Sequence, residues 1–234
     1  MLNKDRMRIE AVILPDFFAG THSMPLFRKA AFHLSAAALE QLPRGSRGEI
    51  AFAGRSNSGK SSAVNALVGR NRLAFVSKTP GRTQLINLYA LGGDRYLADL
   101  PGYGYAKTSG TQRLAWGPLL EQYLESRAPL RGIALVMDIR HPLTALDRRL
   151  LEWYAPVGKP VHVLLTKADK LSRGQALGVL KQVRSELARI SSKYSAQMFS
   201  SLKKSGIEHA KAVFGAWLEM ESRKIARQNK KSPG

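Results

Sequence analysis

The sequence predicts an α/β fold in which a mostly parallel central sheet has helices on both faces and contains one antiparallel strand pair. Along its 234 residues, short apolar runs alternate with segments of helical periodicity. The apolar runs at 132–138 and 161–165 are continuous, which is typical of strands buried in a parallel sheet. The glycine-rich turn at 92–94 separates two strand-like runs and predicts the antiparallel pair.

The elements are predicted in chain order. Residues 26–42 mix apolar and small residues, and their periodicity leaves open whether they form an added edge strand or a short helix. Strands are predicted at 49–53, 85–91, 95–99, 132–138, 161–165 and 196–199, and helices at 62–68, 111–127, 144–154, 173–190 and 205–225. We therefore expect an N-terminal arm at 1–47, one domain at 48–221 and a basic tail at 222–234. The tail contains no acidic residue, which predicts a solvated, disordered segment or, as the alternative, an RNA contact.

The composition limits the classes of function. The chain has no cysteine, which excludes disulfides, thiolate catalysis and cysteine metal sites. It lacks a long apolar run and an apolar segment after its charged start, so we expect no membrane insertion, no secretory signal and a cytoplasmic location. The net charge of +20 indicates a polyanionic partner, most often nucleic acid, with a merely soluble basic surface as the alternative. Nothing suggests an obligate oligomer, so we expect a monomer. His162 falls inside a predicted strand and is expected in the core.

The loop after the first core strand matches the phosphate-binding pattern G-x-x-x-x-G-K-[ST]. It consists of Gly54, Arg55, Ser56, Asn57, Ser58, Gly59, Lys60 and Ser61. The glycines let backbone N–H groups approach phosphate oxygens, Lys60 can reach the β- and γ-phosphates, and the Ser61 hydroxyl can bind Mg²⁺. A strand before the loop and a helix after it supply the required context. The sequence therefore predicts a three-layer P-loop NTPase.

A second motif, Asp99-Leu100-Pro101-Gly102, ends the strand at 95–99. In P-loop NTPases an acidic residue at this place lies beside Mg²⁺, usually through water. Gly102 leaves a backbone N–H free to approach a γ-phosphate. The four-residue pattern is weak alone, and its position downstream of the P-loop makes it informative.

A third motif, Thr166-Lys167-Ala168-Asp169, follows a buried strand and fits the guanine-recognition pattern [NT]-K-x-D. The Asp169 carboxylate can accept hydrogen bonds from the guanine N1–H and amino groups, which adenine does not offer on that edge. The Lys167 stem can lie along the purine. After the last strand, Phe199, Ser200 and Ser201 form a small-residue loop that could close over the base with backbone N–H groups.

Together these motifs resemble the EngB family (also called YihA or YsxC) of ribosome-assembly GTPases, within the translation-factor-related class. The resemblance also rests on the runs at 79–84, 99–106 and 137–142, and it covers about residues 28 to 219. It implies a G-domain, binding of GTP or GDP with Mg²⁺, and a role in assembly of the large ribosomal subunit through contact with rRNA. It also implies a need for the protein in cell division and septation, for which an indirect effect of ribosome shortage is the alternative. Ser58 stands where the family usually has valine.

The resemblance assigns further roles by position. It implies that Ser61 and Thr83 bind Mg²⁺, that Asp99 and Gly102 sense the γ-phosphate, and that Lys60, Thr83 and Gly102 take part in catalysis. The residues expected near the γ-phosphate are Gly81, Arg82, Thr83, Gln84 and Leu85.

Tyr103 stands where many GTPases have the glutamine that orients the attacking water, so slow hydrolysis is predicted, with the missing group supplied by a partner or an ion. Asn57 is a candidate to hold K⁺, with bracing of the loop as the equal alternative. A nucleotide kinase or ATPase is a competing class, against which Asp169 argues. The other competitor is a basic rRNA-binding module with a weak or vestigial nucleotide site, against which the intact Lys60 and Ser61 argue.

Overall fold

The computed structural model describes residues 25–74, 85–104 and 117–229, with side chains as far as Glu219. Its strands are β1 (Ala31–Ala36), β2 (Gly48–Gly54), β3 (Ile86–Gly92), β4 (Arg95–Asp99), β5 (Leu130–Asp138), β6 (Val161–Thr166) and β7 (Tyr194–Met198). They form one sheet in the order β1-β3-β4-β2-β5-β6-β7. The five strands from β4 to β7 are parallel, and β3 runs antiparallel to both β1 and β4. The predicted α/β fold with a mostly parallel sheet is confirmed.

Helices cover both faces of this sheet. The described helices are α1 (Pro25–Arg28), α2 (Lys60–Val68), α3 (Pro118–Ser126), α4 (Ala145–Tyr154), α5 (Arg173–Ile190) and α6 (Ile207–Asn229). Buried residues of α1, α2 and α6 share one core cluster, and those of α3, α4 and α5 share the other. Successive residues of β2 alternate between the two clusters, because side chains along a strand point to opposite faces. The result is a three-layer architecture. Among the described helices, none combines the length and the hydrophobicity that a membrane span requires.

The predicted antiparallel pair is β3 and β4, joined at Gly93 and Asp94. These two residues have φ angles of 58° and 55°, the left-handed conformation that a two-residue hairpin turn of the favoured twist requires. Glycine adopts it without strain, and aspartate is among the side chains that tolerate it.

The N-terminal arm contains both structures that the sequence left open. The short helix α1 comes first, and β1 then adds an antiparallel edge strand beside β3. The helix predicted at 111–127 is described from Pro118 to Ser126, and residues 111–116 of that prediction lie outside the described part of the chain.

The last helix is longer than predicted. The helix was predicted to end at Ile225 and a disordered tail was expected from Ser222, whereas α6 continues to Asn229. No glycine or proline interrupts residues 222–229, and basic side chains near a helix C-terminus interact favourably with the helix dipole. Local propensity therefore outweighs the high charge that suggested disorder.

Candidate nucleotide-binding site

The predicted motifs meet at one edge of the sheet. The P-loop follows β2, Asp99 ends β4, Asp138 ends β5, and Thr166 ends β6. These four strands are parallel neighbours, so their carboxyl ends lie side by side, where ligands bind in open α/β sheets. The site is therefore assembled from segments that are far apart in the sequence.

The P-loop has the backbone that anion binding requires. Gly59 has a φ of 95° and precedes the first residue of α2, with no side chain capping the helix N-terminus. Its N–H groups and the helix dipole therefore favour a negatively charged ligand. At Gly54, a β-carbon would lie 2.6 Å from the carbonyl oxygen of Val136, so only glycine fits between the loop and β5.

Lys60 and Asp99 form an ion pair across the loop, and both side chains are largely buried. The pair places an ammonium group and a carboxylate at the phosphate side of the site. Ser61, the next residue, places its hydroxyl in the first turn of α2. Hydroxyl and carboxylate oxygens are the ligands that Mg²⁺ prefers in proteins, so the side chains present here fit the ion that the sequence implies.

Thr166, at the end of β6, braces the P-loop. Its side chain is buried, and its hydroxyl donates to the carbonyl of Ser58 and lies 3.0 Å from the carbonyl oxygen of Met137. These contacts attach the P-loop to β5 and β6, and the expected part of Thr166 in guanine recognition stays a prediction. The sequence pattern gave no sign of this bracing role.

Lys167 connects three of the strand ends. Its ammonium group donates to the carbonyl of Asn57 at 2.8 Å and lies 3.0 Å from a carboxylate oxygen of Asp138. Arg140 binds the same carboxylate through two nitrogens, at 2.9 and 2.6 Å, and together with Lys167 it holds the pKa of Asp138 well below its usual range. In the sequence, the run at 137–142, which contains Asp138, supported only the family resemblance. In the structure Asp138 of this run fixes the ammonium group of Lys167.

Asp169 has one carboxylate oxygen engaged by a neighbour. The Ser200 hydroxyl donates to Oδ1, and this hydrogen bond lowers the pKa of Asp169. The carboxylate is only partly buried. An ionised, oriented carboxylate at this position can accept hydrogen bonds from two adjacent donors.

The segment at 199–201 has fewer free backbone N–H groups than expected. The Phe199 ring is buried, its N–H donates to Leu165, and its carbonyl accepts from Ala168. The N–H of Ser200 donates to the carbonyl of Ser205. The N–H groups of Phe199 and Ser200 therefore already have acceptors within the fold, and the expected contact of this loop with a base stays a prediction. Within the described residues, only the N–H of Ser201 among the three makes no hydrogen bond.

The remaining predicted residues divide into three groups. Leu100 is buried and its N–H extends the pairing with β2, while Pro101, Gly102 and Leu85 are partly buried. Arg55, Ser56 and Asn57 are exposed at the P-loop. Gly81, Arg82, Thr83 and Gln84 lie outside the described residues.

The Tyr103 side chain is directed into the core. It is 2% exposed, and its hydroxyl donates to Asp147 Oδ1 at 2.7 Å. Burial and the nearby carboxylate of Asp147 raise its pKa well above the ordinary value. Its backbone also pairs with the P-loop, through N–H to Gly54 and carbonyl to Ser56. Tyr103 is therefore held in place by its backbone, and its side chain packs in the core.

Comparison with known proteins agrees with this geometry. The chain is 59% identical over 195 residues to a probable GTP-binding protein EngB of Methylobacillus flagellatus, covering 83% of this chain and 94% of that relative. The chain belongs to the EngB family. The probable GTP-binding protein EngB of an Azoarcus species is 57% identical over 196 residues, with 83% and 94% of the two chains covered. A family model described as a 50S ribosome-binding GTPase matches residues 49–167.

Solved structures show the same fold. A crystal structure of a probable GTP-binding protein engB has a TM-score of 0.55 at 20% identity, covering 74% of this chain and 99% of that one. A bacterial selenocysteine-specific elongation factor has a TM-score of 0.54 at 19% identity, covering 74% and 29% of the two chains. At these identities the likeness concerns the fold.

Proposed function

We propose that this EngB-family protein is a GTP-binding switch that hydrolyses GTP slowly to GDP and phosphate. In this proposal it acts in assembly of the large ribosomal subunit, and normal cell division and septation depend on it. The observation behind the proposal is that the P-loop and the Asp169–Ser200 pair converge at one edge of the sheet. One end of this edge suits phosphates and the other suits guanine.

The residues divide the work between binding and sensing. The P-loop N–H groups and Lys60 hold the phosphates, and the Gly102 N–H responds to the γ-phosphate. Ser61 and Thr83 would hold Mg²⁺, with Asp99 beside them. When bound, the ion would neutralise charge on the β- and γ-phosphates. Asp169 selects guanine because a nucleotide with adenine would leave its carboxylate without matching donors.

Slow turnover follows from the position of Tyr103. Its hydroxyl is bound to Asp147 in the core, so this side chain is unavailable to orient the attacking water. We propose that a partner or a K⁺ ion supplies the missing assistance, with Asn57 as the ligand of the ion. Asn57 already braces the loop with its backbone carbonyl, which binds Lys167, and its exposed side-chain amide makes no hydrogen bond within the described residues.

Nucleotide titrations test the switch assignment. We expect fluorescent mant-GDP and mant-GTP to bind purified protein much more tightly than mant-ATP. Equal binding of all three nucleotides would leave a basic RNA-binding module on a P-loop scaffold. Co-sedimentation with isolated large ribosomal subunits, in the presence of GDP or a non-hydrolysable GTP analogue, tests the partner separately.

The K⁺ proposal has its own measurement. GTP turnover is compared in KCl and NaCl at equal ionic strength, for the wild type and Asn57→Ala. We expect K⁺ to stimulate the wild type and to have little effect on the variant. Equal turnover of the wild type in the two salts would remove the ion from the mechanism.

A further inference from the structure

A groove opens beside β7, the last strand of the sheet, between α5 and the loop that joins β7 to α6. Its volume is about 300 Å³, at the lower end of the range for ligand pockets. Its lining includes Leu180, Arg184, Gln197, Met198, Ser205 and His209. None of these residues belongs to the nucleotide site described above.

Arg184 gives the groove an oriented positive charge. Its Nε–H donates to the carbonyl of Ala196 at 3.0 Å, which fixes the guanidinium plane against β7. Within the described part of the chain, no carboxylate pairs with this guanidinium. Its terminal nitrogens therefore face the groove side with donors that match the geometry of a phosphate.

The surroundings of the groove are basic. Lys181 lies on α5, and Lys203 and Lys204 lie in the opposite loop, all three exposed. None of them forms an ion pair within the described residues. Of the nearby acidic side chains, Glu208 pairs with Lys211, and Glu186 pairs with Arg148 and Arg189. Asp169 forms no ion pair within the described residues, but it interacts electrostatically with Lys203. The local excess of positive charge therefore favours a polyanion.

The groove also offers apolar surface for a flat ring. Leu180 and Met198 line it with apolar side chains. Burial and the charge of Arg184 lower the pKa of His209, so that its imidazole is neutral near pH 7 and can both donate and accept hydrogen bonds. Apolar contact, a neutral polar edge and a fixed cation are the elements used to bind unstacked bases of single-stranded RNA.

An added peptide strand fits the groove less well. Two carbonyls at the β7 edge are already occupied, that of Ala196 by Arg184 and that of Met198 by the side-chain amide of Gln197 at 3.2 Å. Strand addition needs a free row of backbone groups along an edge.

We propose that this groove binds an unstacked nucleotide of a single-stranded RNA segment, with a phosphate on Arg184 and the base against Leu180 and Met198. The inference rests on the proposed ribosomal partner and gives it a contact surface. The groove shares a loop with the guanine end of the nucleotide site, because Ser200 and Ser205 exchange two backbone hydrogen bonds at 3.1 Å. RNA binding is therefore measured at one fixed nucleotide state, with GDP bound.

The test uses fluorescence anisotropy with a labelled single-stranded RNA of about ten nucleotides, within the site sizes known for such proteins. The groove variant is Arg184→Gln with Lys204→Gln. The matched control is Arg44→Gln with Arg70→Gln, two exposed residues next to β2 and α2, with the same change in net charge. We expect the groove variant to weaken RNA binding about tenfold and to reduce the salt slope by about 0.7 per lost phosphate contact. The control should weaken binding less than about twofold, because overall charge alone is a small term at physiological salt.

Equal weakening by the two variants would show that only net charge matters and would overturn the proposal. A groove variant with unchanged RNA affinity would overturn it too, and loss of binding to a polyglutamate peptide in that variant would identify an acidic protein as the occupant. Titration of mant-GDP into all three proteins separates this test from the proposed function. Normal GDP binding with unchanged RNA binding refutes only the groove, whereas absent GDP binding by the wild type refutes the switch assignment.

Discussion

Two single side chains, those of Thr166 and Lys167, hold the site together. The Thr166 hydroxyl lies beneath the P-loop, and the Lys167 ammonium group bridges the P-loop and β5. Two residues of a pattern associated with base recognition therefore also fix the position of the P-loop. Their contribution to affinity is expected to be indirect, through the position of the loop.

Replacing Thr166 by valine separates bracing from recognition. The change keeps the side-chain shape and removes the hydroxyl that donates to the Ser58 carbonyl. We expect a loss of about 1 to 3 kcal/mol in the free energy of unfolding, the usual cost of an unsatisfied buried group. Affinities for mant-GDP and mant-ADP should fall together, so that their ratio is unchanged. Denaturant unfolding and the two titrations measure these quantities, and a collapse of the ratio would mean that Thr166 contacts the base.

The segment after Gly102 shows how one element constrains another. Tyr103 binds Asp147 in the first turn of α4, and the same carboxylate accepts from the N–H and hydroxyl of Thr144, the residue that caps this helix. The start of the loop after β4 is thereby fixed to the N-terminus of α4. Any movement of this loop on γ-phosphate binding is expected to begin beyond Tyr103, at Gly104, whose φ is 84°.

Tyr103→Gln tests this arrangement. The residue type is the one that orients water in many GTPases, yet here the backbone directs the side chain into the core. We expect intrinsic GTP turnover within about twofold of the wild type, together with a loss of stability of a few kcal/mol, because a large buried ring is removed. Tyr103→Phe is the control that keeps the ring and loses only the hydroxyl. A marked rise in turnover for the glutamine variant would show that the side chain reaches the phosphates.

The stability of the whole fold depends on pH through the buried His162. His162 is 2% exposed, as its position in a strand predicted. Its two ring nitrogens form hydrogen bonds with the side chains of Ser195 and Gln197. Burial lowers its pKa to about 4, against an ordinary value of 6.5. The unfolded chain therefore binds a proton at this residue before the folded chain does, and stability falls as the pH drops from 6.5 toward 4.

The expected loss over this interval is about 3 kcal/mol from His162 alone. Urea unfolding of the wild type, His162→Gln and the exposed-residue control His141→Gln at several pH values measures it. The pH slope should be smaller in His162→Gln and unchanged in His141→Gln. Identical slopes in all three proteins would contradict the assignment of the effect to His162.

At the scale of the whole molecule, the sequence was informative where periodicity and spacing act locally. It predicted the fold class, the hairpin between β3 and β4, and the approximate ranges of most elements. It could not predict that β1 pairs with β3, because nothing local specifies that pairing. Nor could it show that Thr166 lies under the P-loop or that the Phe199 and Ser200 N–H groups are already bonded, since these contacts join segments brought together only by folding. The extended α6 was missed because charge was weighed above helix propensity.

The central claim is that Asp169 makes this site specific for guanine, and one comparison tests it most directly. Affinities for GDP and xanthosine diphosphate are measured for the wild type and Asp169→Asn. We expect the variant to bind GDP about 100-fold more weakly, because it loses charge-assisted hydrogen bonds, and to gain affinity for the xanthine nucleotide. GDP affinity unchanged in the variant would contradict it, because Asp169 would then take no part in recognising the base.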